Sequence, residues 1–136
     1  MKIVGVSHPV PKNYAERIYN NNKSVFVGKK FLKKVSKGDK FVIYESHGVG
    51  AYTGMGTIIN RCDMTPSEIL IKYKNKLIVT TKEFKEYAKN MKKMNVIEFE
   101  DFEKFSNPIV PKKFVTMGGK YIYEDEYKLI VRKKDV

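Results

Sequence analysis

The chain has 136 residues and a formal net charge of +12, from 27 basic and 15 acidic side chains. Its single cysteine, Cys62, excludes an internal disulfide, and a reducing cytoplasm is the expected compartment. No apolar run reaches the roughly 18 residues of a membrane-spanning helix, so no membrane partner is expected. The length is sufficient for one hydrophobic core, and we expect a single domain over residues 1–136.

The positive charge is concentrated in the first half of the chain. Residues 1–62 carry 11 basic and 3 acidic side chains (+8), whereas residues 63–136 carry 16 and 12 (+4). A field of this sign attracts polyanions, so RNA or single-stranded nucleic acid is the expected partner. Enrichment in lysine for solubility or for thermal stability is the alternative explanation of the same composition.

The first predicted elements are a strand, a helix and a second strand. Residues 2–6 are rich in β-branched side chains and predict a strand, which Pro9 and Pro11 are expected to end. Pro11 also suits the first turn of a helix that stops at the three asparagines 20–22. A short strand is predicted over 24–27, and a lysine-rich linker follows it.

The most informative stretch is a hairpin at the centre of the chain. Aromatic and β-branched residues predict a strand over 40–46, and a glycine-rich reversal follows at 47–50. A second apolar strand then runs from Ala51 towards Arg61. Its glycines permit a sharp bend or the close approach of another backbone.

The second half of the chain alternates short helices with short strands. Two capping boxes, which begin at Thr65 and Thr80, predict helices that each bury one apolar face. A last helix follows the acidic residues 124–126 and is predicted to bury Tyr127 and Ile130, with Val131 as a further candidate. Between these helices the sequence predicts a helical turn over 100–105 and strands over 95–99, 113–117 and 120–123. Short strands with glycine and proline corners indicate a small, partly open β-barrel rather than a βαβ sheet.

Several kinds of catalytic or cofactor site are disfavoured. The glycine-rich reversal lacks the third glycine and the following helix of a dinucleotide fingerprint, and no P-loop motif is present. The two histidines and one cysteine do not form a structural-zinc set, and His8, His47 and Glu45 would hold a metal only if the fold joined them. Ser46 and His47 are neighbours on a strand and therefore point to opposite faces. We predict no metal, no cofactor and no catalytic residue.

Recognition of a nucleotide is the chemistry that the sequence supports. A nucleotide is bound by aromatic stacking, by hydrogen bonds to the base edge and by basic groups on the phosphates. The candidates are the lysines before the hairpin, the aromatic and polar residues at its open end, and one histidine: Lys29, Lys30, Lys33, Lys34, Tyr44, Ser46, His47, Tyr52 and His8. Two alternatives stay open, because either tyrosine can belong to the core and His8 can be a structural residue at a strand end.

Residues 37–46 resemble the PUA-like superfamily, particularly its EVE and ASCH branches. Those branches share a lysine-rich turn, a Gly-Asp pair and an apolar strand. A glycine-containing reversal and a second strand follow, and the pattern of that strand is met here by Ala51, Gly54, Gly56 and Ile58. Residues 111–122 and the acidic residues after them are similar to a family of uncharacterised archaeal PUA-like proteins.

The resemblance implies an α+β fold: a PUA-like mixed β-pseudobarrel of five or six strands with short peripheral helices and a ligand cleft beside the hairpin. Such domains bind RNA or, in some branches, modified bases, and the residues implied to face the cleft are Tyr44, Ser46 and His47. The chain has no tryptophan, which methylated-base readers use for their aromatic cage. It also lacks the Gly-x-Lys-x-x-Glu motif of many ASCH proteins.

We favour a small nucleic-acid-binding module without catalysis, which holds RNA or a nucleotide, modified or not, in a cleft beside the 40–59 hairpin. The alternative is an amidohydrolase-like enzyme that acts on a nucleoside or modified base, with His47 or Glu45 in an acid–base role. A third hypothesis is an interaction protein whose sheet edge pairs with a partner or with another copy. The sequence leaves the oligomeric state open.

Overall fold

The computed structural model describes residues 1–29 and 32–136. In chain order, these residues form the elements β1 (Ile3–Pro11), α1 (Lys12–Asn21), β2 (Val25–Gly28), β3 (Lys40–Ser46), β4 (Ala51–Met64), α2 (Pro66–Tyr73), α3 (Thr81–Tyr87), β5 (Met94–Ile109), β6 (Lys120–Tyr123) and α4 (Glu124–Lys133).

The described strands form one mixed sheet in the order β2-β5-β4-β3-β1-β6. Neighbouring strands are antiparallel except β1 and β3, which run parallel from Gly5 opposite Lys40 to Pro11 opposite Ser46. The outer strands β2 and β6 do not pair with each other, so hydrogen bonds among the described strands leave the barrel open. The predicted α+β pseudobarrel is confirmed.

β1 is longer than predicted because it continues through both prolines. Its neighbour β6 pairs with it only as far as Ser7, which lies opposite Lys120. From His8 onward, β3 is the one neighbour of β1 within the described sheet. Proline is tolerated on such an edge, where its missing N–H is not needed. The prediction that the strand stops after residue 6 is therefore wrong: Pro9 lies within β1, whereas Pro11 is its last residue.

β5 is also longer than predicted, and a bulge explains the difference. Met55 of β4 pairs with Glu103 of β5, and Thr57 pairs with Glu100. Two residues of β5 therefore lie opposite one residue of β4, and the register between the two strands shifts there. Asp101 lies in this interruption with a φ of 50°. A bulge bends the strand and resets its alternation. The aromatic residues at 99, 102 and 105, whose spacing of three suggested a helical turn, lie in this bulged strand. The predicted helical turn over 100–105 is therefore wrong.

Three groups of buried side chains hold the helices on the sheet. One face of the central strands, with Val10 and Phe41, is covered by α1. The opposite face of the same strands, with Val42, is covered by Ile130 of α4. The third group lies between α2, α3 and the outer part of the sheet, around Phe84.

Both short central helices begin as predicted. The Thr65 hydroxyl accepts from the N–H of Glu68 at 3.2 Å, and the Glu68 carboxylate accepts from the N–H of Thr65 at 2.9 Å. Thr80 and Glu83 repeat this capping box at 3.1 and 2.7 Å. No helix in the described ranges is both long and apolar enough to span a membrane.

Residues 113–117, which were predicted to form a strand, form an irregular loop. Val115 is its buried residue, whereas Phe114 and Met117 are exposed. No described strand pairs with this segment, so the apolar content that predicted a strand instead supplies one anchor in the core and two side chains on the surface.

Ile130→Ala is expected to lower the free energy of unfolding by about 2–5 kcal/mol, because truncation of a fully buried side chain leaves a cavity under α4. The matched control is Val131→Ala on the same helix, where the side chain is 44% exposed. The control is expected to change stability by about 0.5 kcal/mol or less. Urea denaturation measures both values, and equal losses would contradict the packing of α4.

Candidate functional site

An apolar cleft of about 280 Å³ opens between β1, β2, α1 and α3. Its lining includes Pro9 and Pro11 at the end of β1 and three aromatic side chains: Tyr14 of α1, Phe26 of β2 and Tyr87 of α3. Small-molecule pockets commonly span about 300–1,000 Å³, so this cleft has the size for a single small ring system. It lies next to β1, one strand away from the hairpin beside which a cleft was predicted.

A polar clamp joins α1 to α3 at one wall of the cleft. The Arg17 guanidinium donates to the two carboxylate oxygens of Glu83 at 2.7 and 3.3 Å, and the Tyr14 hydroxyl donates to Glu83 Oε2 at 3.2 Å. Glu83 also accepts from the N–H of Thr80, so both of its oxygens are engaged. The hydrogen bonds from Arg17 and from the Thr80 N–H hold the pKa of Glu83 at about 2.

His8 is buried directly behind one wall of the cleft. Its side chain is 2% exposed and stacks on Phe26, with 4.6 Å between ring centroids. The Nε2 atom has no hydrogen-bond partner within the described residues. Burial lowers the pKa of His8 to about 4, so the imidazole is neutral at physiological pH.

Gly119 packs closely against the His8 ring. Its φ of 75° lies in the left-handed region, and a Cβ at this position would be 2.5 Å from His8 Nδ1. Glycine is therefore required here both by the backbone and by the contact.

The linker lysines lie at different places around the sheet. Lys29 is exposed, and its Nζ lies 4.6 Å from the ring centroid of Tyr87, so this ammonium group is at the rim of the cleft. Lys33 forms an ion pair with Asp63 of β4 at 3.6 Å. The backbone N–H of Lys34 donates to the Tyr121 hydroxyl of β6 at 3.1 Å. Lys30, the fourth predicted lysine, lies outside the described residues.

Tyr44 and Tyr52 lie on the opposite face of the sheet from His8. The parallel register pairs His8 with Ile43, so Tyr44, one residue further on, points the other way. Tyr44 is 8% and Tyr52 1% exposed, and both pack in the core under α4. The Tyr52 hydroxyl donates to Glu126 Oε2 at 2.8 Å. The structure therefore matches the core alternative that the sequence left open for the two tyrosines.

Ser46 and His47 lie at the open end of the hairpin. Ser46 is half-buried and lies opposite Pro11 in the sheet, beside the cleft. His47 is exposed on the reversal, with a φ of 52°. His47 and buried His8 are thus in different environments. Among the described residues, no group of three or more His, Cys, Asp or Glu side chains is arranged to hold a metal ion.

A second cleft of about 400 Å³ lies at the other end of α1. Its lining combines Lys23 and Lys76 with Glu98, Glu100 and Asp101, and Lys76 pairs with Glu98 at 3.4 Å. The acidic side chains outnumber the basic ones, so this cleft has no field that attracts a polyanion.

The residues that line the first cleft were not among the predicted site residues. Tyr14 lies in the helix predicted after Pro11, Phe26 in the strand predicted over 24–27, and Glu83 and Tyr87 in the helix predicted from the capping box at Thr80. One signal was present, because Arg17 follows Tyr14 by one helical turn and its guanidinium lies 4.6 Å from the Tyr14 ring centroid. The partner that completes the clamp, Glu83, is 66 residues away from Arg17 in the chain.

The fold is that of the ASCH-type, PUA-like proteins. A crystal structure of ASCH from Zymomonas mobilis is similar with a TM-score of 0.85 over 98% of both chains, at 12% sequence identity. A hypothetical protein from Leishmania major is similar with a TM-score of 0.53 over 96% of this chain and 94% of that one, at 14% identity. The PUA-like fold predicted from the sequence is confirmed.

The chain belongs to the family described as Domain of unknown function (DUF365), whose model matches residues 3–124. An uncharacterized protein of the archaeon Methanocaldococcus jannaschii is 38% identical over 79 residues, which span 50% of this chain and 73% of that protein. The resemblance to an archaeal PUA-like family is thereby confirmed as well.

His8→Phe is expected to reduce the loss of stability that the wild type shows on mild acidification. The folded-state pKa of about 4 is below the ordinary 6.5, so between these values the unfolded chain binds a proton that the folded protein excludes. The free energy of unfolding should fall by about 2 kcal/mol between about pH 7 and pH 5 in the wild type, and less in the variant. Urea denaturation at the two pH values measures the difference.

The matched control is His47→Gln, which changes the chain's other histidine. Because His47 is exposed, this variant is expected to keep the wild-type pH dependence. A control that loses this dependence, or a His8→Phe variant that retains it, would contradict the assignment to His8.

Glu83→Gln is expected to lower the free energy of unfolding at neutral pH. It is also expected to make that free energy depend less on pH in the acid range. The folded-state pKa of about 2 is below the ordinary 4.5, so the stabilisation is present above pH 4.5 and is lost as the pH falls towards 2. Because the Glu83 side chain is 33% exposed, the expected contribution is discounted to about 1 kcal/mol. Urea denaturation at about pH 6 and pH 3 measures it. Glu86→Gln is the control for the same charge change on α3, and an equal effect there would refute the clamp.

Proposed function

We propose that the protein is a small nucleic-acid-binding module that holds one base of RNA or of another single-stranded nucleic acid in the cleft. The observation that carries the proposal is the convergence of Tyr14, Phe26 and Tyr87 on one small cleft with Lys29 at its rim. Aromatic rings stack on the faces of all bases, and a lysine beside them can contact the phosphate. We propose that one domain, residues 1–136, carries this activity.

The charge around the cleft supports the same proposal. Residues 29–37, the linker before the hairpin, carry five basic side chains and no acidic one. This segment passes the rim of the cleft at Lys29, and we propose it as the path of the phosphates, with Lys30, Lys33 and Lys34 as further contacts. Ser46 and His47, beside Pro11 at the end of β1, are proposed contacts for the neighbouring nucleotide.

We propose binding without a chemical step. The Glu83 carboxylate is occupied by Arg17, Tyr14 and the Thr80 N–H, and its low pKa makes it a poor general acid. The His8 imidazole is behind Phe26 rather than on the surface of the cleft. An acid–base pair aimed at a bound base is not among the described cleft residues.

The geometry favours this proposal over a protein that pairs through its sheet edge. The outer strands β2 and β6 have four residues each. Short edge strands offer few unpaired backbone groups and are a common protection against pairing with another chain.

Tyr87→Ala is expected to weaken binding of a fluorescein-labelled oligouridine by about tenfold, because one base–aromatic stack is lost. Tyr123→Ala is the matched control, since both tyrosines are 40% exposed and Tyr123 lies outside the cleft. Fluorescence anisotropy at low salt measures the dissociation constants, and circular dichroism confirms that both variants are folded.

Wild-type binding is expected to weaken steeply as salt is added, because phosphate contacts release counterions. No binding to single-stranded RNA or DNA at low salt, or binding that salt does not change, would refute the proposed function. An equal loss for the Tyr87 and Tyr123 variants would refute the location in the cleft.

A further inference from the structure

A surface loop next to the cleft exposes several large apolar side chains. In the 110–117 loop, which connects β5 to β6, Val110 is 75%, Phe114 73% and Met117 88% exposed. Large apolar side chains that are exposed close together mark an interaction surface rather than a region of ordinary polar loop.

Two contacts anchor the loop to the rest of the protein. One lies between Phe114 and Met117, and the other follows Met117. Val115 is 4% exposed and packs in the core under α4. The N–H of Gly119 donates to the Thr116 carbonyl at 2.9 Å, and Gly119 contacts His8. The backbone therefore presents Phe114 and Met117 outward from an anchored position.

The loop is also positively charged. Residues 110–117 contain two lysines and no acidic residue, and these lysines, Lys112 and Lys113, are exposed and directly precede Phe114. An aromatic side chain next to basic groups is the combination that binds single-stranded nucleic acid, through stacking and phosphate contacts.

The loop is continuous with the cleft. Met117 is itself part of the cleft lining. Phe114 precedes it by three residues, which span about 10 Å at most. Sheet pairing also brings the start of the loop to the end of the sheet at which the cleft opens. Ile109, the last residue before the loop, lies opposite Tyr52. Tyr52 lies opposite Tyr44, which in turn lies opposite Pro9 of the cleft lining.

We infer that the 110–117 loop is a second contact surface for the same single strand. A base that follows the one in the cleft stacks on Phe114, and its phosphates contact Lys112 and Lys113. This inference rests on the proposed function, because it extends the path of the strand from the cleft across the loop. It predicts that a longer strand gains affinity through the loop, whereas a strand that occupies the cleft alone does not.

The test compares a labelled oligouridine of about 12 nucleotides, a length within the range of site sizes known for single-strand-binding domains, with a shorter strand reduced to a single labelled uridine nucleotide, which can occupy the cleft alone. Phe114→Ala is expected to weaken binding of the longer strand by about tenfold and to leave binding of the shorter strand within about twofold of wild type. Ile71→Ala is the matched control, because Ile71 is 87% exposed on α2, away from the cleft lining. It is expected to change neither affinity.

A second pair of variants tests the phosphate contacts. Replacement of both Lys112 and Lys113 by glutamine is expected to reduce the slope of log affinity against log salt for the longer strand by about 2. Replacement of Lys92 and Lys93, another exposed lysine pair, removes the same charge as a control and is expected to leave the slope within about 0.5 of wild type.

The outcomes separate this inference from the proposed function. If the wild type binds neither strand, the proposed function fails. If it binds both strands and Phe114→Ala behaves like Ile71→Ala, the cleft stands and the second surface is refuted. The inference is also overturned if Phe114→Ala changes only the sedimentation coefficient of the free protein, since the loop would then be a contact between copies of the chain.

Discussion

The parallel pairing of β1 with β3 is the constraint on which the arrangement of this protein depends. It places the first strand inside the sheet and requires a close approach at Gly5, where a Cβ would collide with the backbone oxygen of Lys40. Because side chains alternate along a strand, the same register turns His8 and Val10 towards α1 and turns Tyr44 towards α4. One pairing thus decides that His8 and Tyr44 lie on opposite faces of the sheet.

Two arrangements of tyrosine, carboxylate and cation hold helices on opposite faces of this sheet. On one face, Arg17 and Tyr14 engage Glu83 and connect α1 to α3. On the other, the Tyr52 hydroxyl and the Lys120 ammonium group share Glu126 Oε2 at 2.8 and 3.0 Å, which fastens α4. Burial and the neighbouring carboxylate raise the pKa of Tyr52, so its hydroxyl remains a donor. The two arrangements have the same chemistry, and the first of them contributes Tyr14 and Glu83 to the lining of the cleft.

Basic and acidic side chains are distributed unequally between the two clefts. Residues 29–37 reach the rim of the first cleft at Lys29, residues 110–117 reach it at Met117, and neither segment contains an acidic side chain. Three acidic residues of β5, Glu98, Glu100 and Asp101, lie instead around the second cleft, at the other end of α1. The net charge of +12 is therefore less informative than its arrangement, because the segments without acidic residues approach the apolar cleft from two sides.

Local signals were sufficient for much of the fold. Both capping boxes, the end of α1 at the asparagines, the central hairpin and the start of α4 follow from residues close together in the chain, and they led to the correct fold class. The site could not be found in the same way. Its aromatic rings come from α1, β2 and α3, and each had a sufficient local role as a core residue. Strand register decides the placement of Tyr44 and Tyr52, and the packing of α1 against α3 decides that of Tyr14 and Tyr87; both depend on contacts between distant segments. For that reason Tyr44 and Tyr52 became core residues, whereas Tyr14 and Tyr87 came together at the cleft.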